Sequence, residues 1–69
     1  MNVKQLINKL ESLYDQIDDM SSDRDYSFSD RSENWQLSDK GELYEELTET
    51  INEIKEDIYR AISNLNERL

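Results

Sequence analysis

Seven carboxylates crowd one stretch of this chain: Glu42, Glu45, Glu46, Glu49, Glu53, Glu56 and Asp57. Lys55 is the one cation among them, and residues 42–57 carry a net charge of −6. Acids at this density have two uses. They can coat the outer face of a helix, or they can offer a row of anions to a basic groove. Glu42/Glu46, Glu45/Glu49, Glu49/Glu53 and Glu53/Asp57 are like-charge pairs four residues apart. In an isolated helix each costs about 0.2–0.5 kcal/mol, so about 1–2 kcal/mol together. The helix dipole offsets this only in the first turn. Alternating Glu with Lys would have coated the face equally well and gained a similar amount. Carboxylates one helical turn apart also roughly match the phosphate spacing of a nucleic-acid strand. Two readings stay open: a solvated outer face, and an acidic face that occupies a basic groove on a partner protein, of the kind that otherwise holds nucleic acid.

A second group lies just upstream, in RSENWQLSDKGELYEEL, which begins at Arg31. Arg31, Trp35 and Lys40 are candidate ligand-binding residues. The start of a helix offers free N–H groups and a positive dipole end, Trp35 could stack on a base, and the two cations could meet phosphates. The competing reading is a docking motif, in which Trp35 packs across a hairpin, Arg31 pairs with a nearby acid and Ser38 caps a helix. Gly41 sits inside a first helical turn at a cost of roughly 1 kcal/mol against alanine, which implies close approach by another group. No metal site is expected. The run DMSSDRDYSFSD from Asp19 superficially resembles a calcium loop, but has Arg24 where glycine is needed and Asp30 in place of the closing glutamate.

Composition removes most catalytic chemistry. With no histidine and no cysteine, zinc sites, catalytic triads, thiol nucleophiles and disulfides are all excluded, and no oxidising compartment is implied. No carboxylate pair has neighbours that would set its two pKa values apart, so neither an enzyme nor a cofactor is expected. A formal net charge of −9 repels phosphates and argues against direct nucleic-acid binding. The start, MNVKQLINKLESLYDQ, has no uninterrupted apolar run. A leader would need about 7–15 such residues and a membrane span about 20, so the expectation is a soluble, intracellular chain with no membrane partner. Leu, Ile, Val and Phe supply 16 of the 69 residues, enough to favour a folded state, though a marginal one.

The elements that must carry these groups are helices. Proline is absent and Gly41 is the only glycine. Val3, Leu6, Leu10, Leu13, Ile17 and Met20 recur in 3-4-3-4-3 steps, with Ile7 and Tyr14 alongside, and Asn2 with Gln5 forms a capping box. This predicts a helix over 2–20. Leu43, Leu47, Ile51, Ile54, Ile58, Ile62, Leu65 and Leu69 average close to 3.7 residues per step, predicting a fairly straight helix over 39–68. Its cap is Asp39 with Glu42, or Ser38. Residues 21–38 read as a loop plus a short helical turn through Asn34, capped by Ser29 or Asp30. Tyr26, Phe28, Trp35 and Leu37 give that segment something to bury. The fold class is therefore all-α, a helical hairpin in a single domain spanning 1–69. A first helix of roughly 28 Å would leave some three turns of a second helix of roughly 45 Å unmatched. Two helices alone also have too little core, so a self-associating bundle, most simply a dimer, is expected.

The stretch Arg31, Ser32, Glu33, Trp35, Gln36, Ser38, Lys40 and Gly41, leading into a Glu-rich helix, resembles an Arg-Ser-Glu-x-Trp-Gln-x-Ser-x-Lys-Gly motif. That motif occurs in small acidic helical proteins of tailed bacteriophages and prophages. The group has no established activity, so the resemblance implies a setting, the cytoplasm of a bacterial host, more than a mechanism. In that setting three roles are open. The first is inhibition of a host protein, such as a nucleic-acid-binding defence factor of the CRISPR-effector kind, through the acidic face. The second is an oligomeric sponge for a nucleotide signal, using Arg31, Trp35 and Lys40. The third is a structural component whose only activity is helix pairing.

Overall fold

The computed structural model describes residues 1–69 and contains three helices and no strand. They are α1 (Val3–Ser29), α2 (Glu33–Gln36) and α3 (Asp39–Glu67), and α1 and α3 pack together as an antiparallel hairpin about 50 Å long. α1 starts where its capping box requires. The Asn2 side chain accepts from the Gln5 amide at 2.8 Å, and the Gln5 side chain accepts from the Asn2 amide at 3.0 Å.

α1 does not end at residue 20. It runs nine residues further, because the inward line continues in the same 3-4 steps with partly polar members: Ile7, Leu10, Tyr14, Ile17, Ser21, Arg24 and Phe28 are its buried or half-buried positions. No glycine or proline interrupts residues 21–40. Once Ser21 and Arg24 find partners on α3, the backbone has no reason to leave the helix. Residues 21–29, expected as a loop, are therefore helix. α1 and α3 have 27 and 29 residues, about 40 and 43 Å, so no three-turn overhang remains.

α3 is also rotated relative to its apolar periodicity. The line that faces α1 is Gly41, Tyr44, Thr48, Ile51, Lys55, Ile58, Ile62 and Leu65, in alternating 3-4 steps, with Leu43, Leu47 and Ile54 outside it and exposed. The register follows from a ladder of cross-helix contacts. Tyr14 meets Tyr59 with ring centroids 6.1 Å apart, Asp18 pairs with Lys55 at 3.0 Å, and Ser21 donates to Asn52 at 2.5 Å. The interior is thin. Ile7 is the one large apolar residue that is buried, and Ser21 and Thr48 are buried polar residues.

Candidate functional site

The Arg31–Gly41 string builds the turn of the hairpin. Ser32, not Ser29 or Asp30, caps α2, its hydroxyl accepting from the Trp35 amide at 3.3 Å. Ser29 is instead the last residue of α1, and Asp30 is its C-cap. Ser38 caps α3, accepting from the Gly41 amide at 3.3 Å while its hydroxyl donates to the Trp35 carbonyl. The Gln36 side-chain amide donates to the carbonyls of Phe28 and Arg31 at 3.0 and 2.9 Å, tying α2 to the end of α1, where the Phe28 carbonyl also accepts from the Arg31 amide. Gly41 is buried where α3 passes under α2. A Cβ there would overlap the Trp35 and Gln36 carbonyl oxygens, so the close approach implied by the sequence is backbone against backbone.

Trp35 is half-buried. Its ring packs edge-on against Phe28 and Tyr44, with centroids 6.0 and 5.7 Å away, and the Arg31 guanidinium lies over it at 4.5 Å. Arg31 and Trp35 thus engage each other, while Lys40 is exposed in the first turn of α3. Arg24, not singled out by its sequence context, closes the cluster from α1. Its Nε donates to Thr48 Oγ1 at 2.9 Å, its Nη2 donates to the Tyr44 carbonyl at 3.0 Å, and the guanidinium sits 3.9 Å above the Tyr44 ring. The signal for it was positional. Arg24 is three residues after Ser21, four before Phe28 and seven after Ile17, on the inward line.

The acidic residues behave differently. Glu42, Glu45, Glu46, Glu49, Glu53, Glu56 and Asp57 are all exposed. Arg60 reaches Glu56 at 3.8 Å and Asp57 at 3.4 Å, whereas Glu42, Glu45, Glu46, Glu49 and Glu53 have no cation within 4 Å. Lys55, the cation inside the run, turns the other way. It pairs with Asp18 across the hairpin, and that hydrogen bond raises its pKa above the ordinary lysine value. Residues 42–53 therefore present about three turns of unpaired carboxylates to solvent. No group of three or more acids is arranged to hold a metal ion, and no helix is long and apolar enough to cross a membrane. Comparison with protein families, curated proteins and solved structures finds no match, so function must be argued from these residues themselves.

Proposed function

We propose that this chain is a non-enzymatic, phage-type protein that binds a basic protein of a bacterial host and inhibits it, presenting the outer face of α3 in place of a nucleic-acid strand. The observation that carries this reading is the set of five glutamates with no internal cation, in a chain whose other charged groups at the hairpin interior, Arg24 and Lys55, are engaged. The four repulsive pairs cost the helix stability and gain the fold nothing, which is the signature of a surface kept for an outside partner. A row of fixed carboxylates raises the association rate with a basic groove and competes with phosphates for the same cations.

Reversal of Glu46, Glu49 and Glu53 to lysine tests this directly. From a bacterial lysate, the tagged chain should retrieve nucleic-acid-binding proteins that added DNA or RNA displaces, and the triple variant should retrieve none while keeping full helicity by circular dichroism. Undiminished retrieval by the triple variant, or retrieval that nucleic acid leaves untouched, would remove the acidic-face mechanism.

A further inference from the structure

We propose that the hairpin is one half of a face-to-face dimer, with a second copy of this chain seated on an apolar face made by Leu6, Leu13 and Met20 of α1 and Leu43, Leu47 and Ile54 of α3. These six side chains are 36–65% exposed, although each belongs to the apolar periodicity of its helix. Each also stands immediately before an inward-line residue: Leu6 before Ile7, Leu13 before Tyr14, Met20 before Ser21, Leu43 before Tyr44, Leu47 before Thr48 and Ile54 before Lys55. Antiparallel helices are related by an approximate two-fold axis normal to both, and that axis preserves a one-residue offset. The two apolar rows therefore emerge on the same side of the hairpin. Within α1 the members are seven residues apart, so they drift by only about 20° per step and form a stripe.

Three observations select a second copy as the occupant. The first is area. The Cα atoms span 50 Å by 16 Å, so the whole of one side projects to roughly 800 Å², the scale of each partner's share in a standard interface, and the six apolar residues are spread along that side. The second is the core. A chain with a single buried large apolar residue and no cysteine for a disulfide needs this side covered whenever it is folded. A copy of itself is present from synthesis, whereas a foreign partner would leave the free hairpin without a core. The third is charge. On α3 the glutamates at 42, 45, 49, 53 and 56 lie about a quarter-turn or more from the Leu43–Leu47–Ile54 row, while Glu46 and Asp57 stand nearer its edge. Two chains of −9 can therefore approach with five of the seven acids of the run turned away from the shared face. Self-complementary pairing of one patch with itself is the common two-fold arrangement, and it gives a four-helix bundle. This inference is independent of the acidic-face proposal and uses the purified chain alone.

Sedimentation equilibrium should give twice the 8.3 kDa of one chain, falling toward one chain only on strong dilution. The urea midpoint should rise with protein concentration, as mass action requires of a dimer. The chain has no cysteine, so single thiols report on each face: Met20→Cys should react with a thiol reagent at least about tenfold more slowly than Glu49→Cys in the concentrated protein, a protection lost on dilution. A mass that stays at one chain at millimolar concentration, or climbs past two, overturns the proposal. So does a Met20→Cys thiol that reacts as fast as Glu49→Cys while the mass is doubled, because the interface would then lie elsewhere.

Discussion

The turn of the hairpin and the outer face of α3 are adjacent in the chain and opposite in how they use polar groups. In residues 31–41 the polar groups with internal tasks are Arg31, Ser32, Gln36 and Ser38, while Glu33, Asn34, Asp39 and Lys40 are exposed. Ser32 and Ser38 cap helices, Gln36 ties α2 to the end of α1, and Arg31 lies on Trp35. In residues 42–57 the carboxylates have almost none, and five of seven lack any cation. Polar residues in the first region stabilise the fold, while in the second they oppose it by an amount that repulsion across helical turns sets at about 1–2 kcal/mol. A chain this small has little stability to spare. The lesson is that charge alone does not mark a functional surface.

The largest expected effect comes from Gly41→Ala. Helix propensity favours alanine by about 1 kcal/mol, yet the new methyl would strike the Trp35 and Gln36 carbonyls, which belong to backbone and cannot swing aside. Overpacking of this kind costs about 1–3 kcal/mol or more. Urea unfolding should show a net loss of about 2 kcal/mol once the docking of α2 is included. Trp35, the only tryptophan, should shift its fluorescence to the red as it leaves Phe28 and Tyr44. A stabilised Gly41→Ala chain would mean the turn is looser than described.

Arg24→Met comes next. It keeps the aliphatic stem and removes the guanidinium that joins Thr48, the Tyr44 carbonyl and the Tyr44 ring. Hydrogen bonds from a charged donor, at a residue only half-buried, put the loss at about 1.5 kcal/mol. Arg24→Lys should recover little of it, because a lysine cannot donate along two fixed directions while lying flat on a ring. Full recovery with lysine would reduce Arg24 to a simple counter-charge and weaken the contrast between turn and acidic face.

Much of this was legible in the sequence. The Asn2–Gln5 capping box, the start of α3 at Asp39, the presence of a short helix between the long ones and the close approach at Gly41 follow from local chemistry that the folded chain keeps. But the cap of α3 is Ser38 and not Asp39 with Glu42, and the short helix is Glu33–Gln36 and not a turn ending at Asn34. What stayed hidden depends on contacts between distant residues. Ser21 looks like the end of an apolar pattern until Asn52, 31 residues away, accepts its hydroxyl. Leu43 and Leu47 look like core residues until Gly41 and the Phe28–Trp35–Tyr44 cluster fix the rotation of α3 and turn Tyr44 and Thr48 inward instead. Apolar periodicity locates a stripe on a helix, but the tightest packed point decides which edge of that stripe meets its neighbour.

The smallest of these effects runs in the opposite direction and bears on the acidic face most directly. In the chain carrying Glu46→Lys, Glu49→Lys and Glu53→Lys, the pairs 42/46, 45/49 and 53/57 become attractive, and only 49/53 stays repulsive. Equilibrium unfolding in urea at low salt should show this chain more stable than the original by about 1–2 kcal/mol, a gap that narrows as salt screens both. A loss of stability at low salt would mean that these glutamates hold the hairpin together, and that the face described here as turned outward belongs to the fold after all.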